Sequence, residues 1–325
     1  MTARGPARPQ DPETLFKDAQ EAFGEGLYQE AADRLQRLAD RHGGFGKDVE
    51  VRGLLGQSLL RLGRFAEAIA PLRGYLEAQT KLGTEAQHTR LTLARAYIGA
   101  GKYTEALLSC REALDARRPP GGQPAVGTEA LMLQGKAQLG LHKTDRAELA
   151  AASAHREWNK LPDSEKSARG SLAGELAWTD LEIQIRKCEA EDPSKSAKKV
   201  AEDVVLAAMD RWGGCLAEAA LAFRAALATD DADWTHEAGV SLVQGYRHFG
   251  QACANPPPKP GKKPTPDEGL RYREELSAEL RRRCGKRVDE VRGTLESWRK
   301  GETEGHRTRI DEVLTGLKDG YATAD

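Results

Sequence analysis

Residues 25–39 read EGLYQEAADRLQRLA, residues 62–76 read LGRFAEAIAPLRGYL, and residues 100–114 read AGKYTEALLSCREAL. Each stretch contains a glycine, any residue, an aromatic residue, any residue and then Glu-Ala. The glycines of the three copies are Gly26, Gly63 and Gly101. They are 37 and 38 residues apart. A motif that returns with a period of a few tens of residues indicates an array of structural repeats.

Each copy has the features of a turn between two helices. Small or apolar residues at helical spacing precede every glycine. Glycine suits a helix–helix turn because it tolerates positive φ. The alanine of the Glu-Ala pair lies on the buried face of the second helix and leaves room for a neighbouring backbone. The pattern therefore predicts two helices joined by a glycine turn in each copy.

The three copies strongly resemble the tetratricopeptide repeat, a helical hairpin of about 34 residues. Its aromatic and alanine positions are occupied by Tyr28/Ala31, Phe65/Ala68 and Tyr103/Ala106. The resemblance implies an all-α fold, a right-handed superhelix of helical hairpins that continues into a C-terminal helical region. A fourth copy is degenerate, because His142 and Thr144 replace the glycine and the aromatic residue. The longer links between units are similar to those of bacterial envelope-assembly proteins of the BamD and CpoB kind.

The organisation expected along the chain begins with a flexible N-terminal segment at residues 1–11. The expected repeats span residues 12–155, in units at about 12–45, 49–82, 87–120 and 128–155. A degenerate, repeat-like helical region at 156–254 follows, with breaks at Gly213-Gly214 and at 230–233. A proline-rich loop at 255–267 then separates it from residues 268–325, a long helix with a terminal capping segment.

Composition limits the classes of partner. Lys and Arg number 49 and Asp and Glu number 50, so the net charge of −1 provides no general attraction to nucleic acid. No run approaches the roughly 18 apolar residues that a membrane-spanning helix needs. The N-terminus has no apolar signal-peptide core, which favours the cytoplasm for the chain as written. The alternative is the periplasm, as the mature part of an outer-membrane lipoprotein.

Motifs for catalysis are absent from the sequence. It contains no phosphate-binding glycine loop, no nucleophile elbow and no HExxH zinc motif. Its seven histidines are scattered, and none pairs with Cys or carboxylates at zinc spacing. We therefore expect no enzyme activity, no cofactor and no metal site.

The leading functional hypothesis is a non-catalytic scaffold that binds a protein or peptide partner. In similar families the first helices of the hairpins line an inner groove that takes extended peptides or partner helices. By that resemblance the groove residues would be Phe16, Gln20, Phe23, Gln57, Leu60, Arg61, Leu91, Arg95 and Ile98. A second hypothesis is a structural subunit of a bacterial cell-envelope or motility assembly, lipid-anchored in its native form.

Five cysteines allow two interpretations. Cys110 reads as a buried small hydrophobic residue. The other four stay thiols in the cytoplasm but pair in an oxidising compartment. If the helices after Gly170 alternate in direction at turns near 190–197, 213–214, 230–233 and 255–267, cysteines at matching heights predict the pairs Cys215–Cys253 and Cys188–Cys284. A Cys188–Cys215 bridge would contradict that layout.

Overall fold

The computed structural model describes residues 11–41, 45–81, 86–115, 124–193, 201–257 and 265–322. Within these ranges the chain forms fourteen α-helices and one short 3-10 segment, with no strand. The all-α prediction is therefore confirmed. The chain divides into two compact units, Met1–Leu161 and Pro162–Asp325, which we call the N-terminal and C-terminal units. Most of the expected flexible segment (1–10) and of the proline-rich loop (258–264) lies outside the described residues.

The N-terminal unit consists of four helical hairpins. Its helices are α1 (Pro12–Gly24), α2 (Tyr28–Arg41), α3 (Asp48–Arg61), α4 (Phe65–Lys81), α5 (Gln87–Gly99), α6 (Tyr103–Asp115), α7 (Pro124–Gly140) and α8 (Thr144–Asn159). Helix α1 begins where the Asp11 side chain accepts a hydrogen bond from the backbone N–H of Thr14, with Pro12 as its first residue. Sequential helices pack as antiparallel pairs.

The repeat alanines are buried in this packing. Ala31, Ala68, Ala106 and Ala147 are all fully buried. A methyl group at these positions lets the second helix of a hairpin approach its neighbours closely. The prediction that Ala31, Ala68 and Ala106 lie on the buried face of the second helix is confirmed.

The C-terminal unit has longer helices. They are α9 (Asp163–Ser167), α10 (Gly170–Cys188), α11 (Glu202–Leu227), α12 (Ala232–Ala254), α13 (Pro266–Arg299) and α14 (Glu304–Ala322), with the 3-10 segment at Glu189–Glu191. Helix α13 begins with a capping box, because the Thr265 hydroxyl accepts from the Glu268 N–H while the Glu268 carboxylate accepts from the Thr265 N–H. The Asp231 carboxylate caps α12 by accepting a hydrogen bond from the Trp234 N–H. The helices are therefore interrupted at 228–231, which overlaps the predicted break at 230–233.

Next-but-one helices of this unit are parallel. Trp178 on α10 donates to the Ser241 hydroxyl on α12 at 3.1 Å. Asp210 on α11 binds Arg283 on α13 at 2.7 Å. Between α12 and α14 the contacts run in the same order along both helices. The unit therefore repeats an up-and-down alternation of helices.

The disulfide prediction was wrong. The bridges are Cys188–Cys215 and Cys253–Cys284, with Cα–Cα distances of 5.4 and 6.6 Å. Gly213 and Gly214 do not end a helix, because α11 runs without interruption from Glu202 to Leu227. Removing that turn reverses the direction of every later helix. Each bridge consequently joins two neighbouring antiparallel helices, α10 with α11 and α12 with α13.

Cys110 is a free thiol and is fully buried on α6, as expected. Burial, together with the nearby Glu129 carboxylate, raises the pKa of its thiol to about 12. The thiolate, which is the reactive form, is therefore negligible near neutral pH.

Candidate functional site

Four turns of the same backbone geometry join the two helices of each N-terminal repeat, so residues at equal distances from a turn occupy equivalent positions. Gly26, Gly63 and Gly101 have φ values of 79°, 71° and 72°, and His142 has a φ of 56°. After each turn residue, the next backbone N–H donates to the carbonyl four residues before that turn residue, as from Lys102 to Tyr97 at 2.8 Å. This is the hydrogen bond of a Schellman helix terminus. The fourth repeat therefore keeps the turn geometry although its sequence has lost the glycine.

The aromatic residues of the motif join one repeat to the next. A Cβ added to Gly99 would lie 2.3–2.6 Å from ring atoms of Phe65. A Cβ added to Gly140 would lie 2.3–2.6 Å from ring atoms of Tyr103. The ring at the start of one second helix thus rests against the glycine that ends the following first helix, which fixes the spacing between repeats.

The first helices of the hairpins, α1, α3, α5 and α7, present one shared face, which we call the A face. Six residues before each turn residue lies a polar side chain. This polar row consists of Gln20, Gln57, Arg95 and Lys136. The first two are exposed and the last two are half-buried. Lys136 was missed in the sequence because the fourth repeat was degenerate, although its phase relative to His142 gives its position.

A second row is apolar. Three residues before each turn residue lie Phe23, Leu60, Ile98 and Leu139, all half-buried. The Phe23 ring packs edge-on against Tyr28 at 5.4 Å between ring centroids. The A face thus brings together seven of the nine predicted groove residues, counting the exposed Arg61.

Phe16 and Leu91 are not part of this face. They are only 4% and 1% exposed and belong to the core. The Phe16 ring meets Phe45 at 6.1 Å and carries the Lys47 ammonium at 5.3 Å from its centroid. Both residues lie ten positions before their turn residue, a phase that faces inward between helices. Their assignment to the groove was wrong.

The electrostatics of the A face differ along its length. Arg95 binds Glu129 on α7 at 3.0 Å, so the third and fourth repeats share an ion pair. Arg61 has no ion pair or hydrogen bond with any residue in the described ranges. An exposed guanidinium without a partner is available to a carboxylate from outside.

Metal-binding clusters and membrane-spanning helices are both absent from the described part of the chain. No three His, Cys, Asp or Glu side chains there come together in a metal-binding arrangement. None of the helices described is both long enough and apolar enough to cross a membrane.

Comparison with protein families agrees with the turn geometry. The family model for the tetratricopeptide repeat matches residues 16–81 and 91–162. All of these residues except the last lie in the N-terminal unit. No curated protein sequence matches the chain.

Two solved structures resemble the chain at low sequence identity. A tetratricopeptide repeat protein from Parabacteroides merdae is 13% identical, with 94% of this chain and 98% of that chain covered and a TM-score of 0.42. The TPR2AB-domain:pHSP90-complex of yeast Sti1 is 14% identical, with coverage of 94% and 98% and a TM-score of 0.29. The assignment rests on the family model and the four turns rather than on these low TM-scores. The N-terminal unit is therefore built of tetratricopeptide repeats.

Proposed function

We propose that this chain is a non-catalytic protein-interaction scaffold, which binds an extended peptide or a partner helix along the A face. The observation that carries this proposal is the polar row beside the apolar row, held in one phase by four equivalent turns. Repetition of one chemistry at a fixed spacing suits a partner that is itself extended and periodic.

The chemistry of the A face indicates what such a partner carries. Gln20 and Gln57 have no hydrogen-bond partner among the described residues, and each amide both donates and accepts. They can therefore bind the N–H and C=O groups of an extended backbone. The half-buried apolar row accommodates apolar side chains, and Arg61 is placed to bind a carboxylate. The partner is accordingly an apolar segment with an acidic group.

The experiment is affinity capture with the intact chain, followed by affinity measurements on the captured partner. Arg61→Glu should weaken binding at least tenfold while leaving the far-UV circular dichroism unchanged, because charge at the face sets partner choice more than stability. Arg73→Glu is the matched control, since Arg73 is equally exposed but lies on α4, a second helix. Equal binding by wild type and Arg61→Glu would remove the A face from the interaction.

We further propose that the chain matures in an oxidising compartment, which the two disulfides of the C-terminal unit support. This favours the periplasmic alternative, and with it the lipid-anchored subunit of a cell-envelope or motility assembly. Peptide mapping of unreduced protein from its native cells should recover Cys188–Cys215 and Cys253–Cys284. Four free thiols at these positions would instead place the chain in the cytoplasm. An upstream lipobox in the reading frame would support the anchor.

A further inference from the structure

The C-terminal unit has a cleft between α12 and α14. Its volume is about 280 Å³, and only these two helices line it. Small-molecule sites in proteins start at roughly this size, about 300 Å³. The cleft can therefore hold one residue of a partner rather than a large ligand.

Two glycine–valine contacts shape the apolar floor. A Cβ on Gly239 would lie 2.9 Å from Val313, and a Cβ on Gly316 would lie 2.9 Å from Val243. The glycines allow α12 and α14 to approach each other closely. Val240 also lines the cleft and remains 38% exposed. An exposed valine beside such a floor leaves apolar surface in water that an apolar side chain would cover.

The charges around the cleft do not cancel. Arg309 binds both carboxylate oxygens of Glu312, at 2.9 and 3.0 Å, and His236 lies 3.4 Å from the same group. Glu312 is therefore neutralised within the cleft. Arg247, which also lines it, is exposed and has no ion pair or hydrogen bond with any described residue. The unbalanced charge is one guanidinium.

We propose that this cleft binds a partner segment through one aliphatic side chain that has a carboxylate next to it. The side chain packs on the valine floor, and the carboxylate accepts hydrogen bonds from the Arg247 guanidinium. Arginine presents N–H groups in a planar fork that matches a carboxylate. This site lies in the C-terminal unit and does not depend on the proposed function of the A face.

The test uses N-acetyl-leucine as the probe, because it carries an aliphatic side chain and a carboxylate on one residue. Methyl groups of 13C-labelled valine in the intact chain report binding, with Val240, Val243 and Val313 as the expected responders. We expect saturable shifts with a Kd on the order of millimolar, which suits a ligand of this size. N-acetyl-leucinamide should bind about fivefold or more weakly, and N-acetylglycine should cause no saturable shift at these methyls.

A pair of variants assigns the carboxylate contact. Arg247→Gln should weaken N-acetyl-leucine to the level of the amide while leaving binding of the amide unchanged. Arg271→Gln is the control, since Arg271 is exposed on α13 and also has no partner in the described ranges. The proposal is overturned if the valine methyls do not respond, or if they respond equally to all three compounds. Equal affinities of wild type and Arg247→Gln for N-acetyl-leucine would also refute it.

Discussion

Replacing Gly99 by alanine tests the contact that joins the second and third repeats. The new Cβ would lie 2.3 Å from Cγ of Phe65 and 2.4 and 2.6 Å from its Cδ atoms, so the ring or helix α5 must move. Overpacking of this kind costs about 1–3 kcal/mol. The gain in helix propensity from Gly to Ala is at most about 1 kcal/mol, and less at a helix end. We therefore expect Gly99→Ala to lower the free energy of unfolding by about 1–2 kcal/mol.

The chain provides its own control. Gly24 stands two residues before its turn glycine, as Gly99 does, but a Cβ at Gly24 would meet nothing within 4 Å. Gly24→Ala should therefore be neutral or slightly stabilising. Unfolding of the intact chain, followed by far-UV circular dichroism, should show a fall in Tm of roughly 2–8 °C for Gly99→Ala alone.

A double-mutant cycle removes the remaining ambiguity. In a Phe65→Ala background the ring is gone, so Gly99→Ala should lose its cost and the two substitutions should be strongly non-additive. Equal effects at Gly24 and Gly99, or additivity with Phe65→Ala, would show that the ring–glycine contact does not hold the repeats together.

Three further predictions follow from the described contacts. His142→Gly should raise the unfolding free energy by about 0.5–1 kcal/mol, because a non-glycine residue at φ 56° is strained; an unchanged urea midpoint would contradict this. Arg95→Glu should lower the free energy of unfolding by about 1 kcal/mol, because two carboxylates would then face each other at Glu129. The Arg95→Glu/Glu129→Arg swap should restore the urea midpoint. The pKa of His306 is raised by hydrogen bonds to two carboxylates, Glu302 and then Asp230. The stabilisation from charged His306 is complete below about pH 6.5 and is lost as the pH rises through the raised pKa. His306→Gln should therefore make the urea midpoint less dependent on pH in that window.

Local signals were enough to predict the N-terminal unit. The turn glycines, the aromatic residues and the buried alanines act within one hairpin or between adjacent ones, so a short stretch of sequence contains them. The groove residues were predicted less well, because the position of a residue around its helix decides whether it is buried. Phe16 and Leu91 lie on the first helices, as predicted, but face inward between helices. Only the observed packing shows which positions around a helix remain exposed.

The C-terminal unit shows why long-range packing cannot be read from local pattern. Paired glycines usually indicate a turn, and Gly213-Gly214 was interpreted that way. In the structure a Cβ on Gly213 would lie 2.8 Å from the Arg287 side chain and 3.0 Å from the Phe249 ring. The glycine therefore serves close packing of α11 against α12 and α13, which lie later in the chain.

One misplaced turn is sufficient to exchange the disulfide partners. In an up-and-down array the level of a cysteine depends on the number of turns before it, so an extra turn inverts every later helix. With the turn at Gly213-Gly214 removed, Cys253 ends a helix parallel to the one that Cys188 ends, and each then meets a cysteine within the following helix. The two disulfides consequently link the helices of successive pairs in the same way, α10 to α11 and α12 to α13. A repeated covalent link of this kind limits sliding of each pair, in a unit whose helices lack the Gly-x-aromatic-x-Glu-Ala turn.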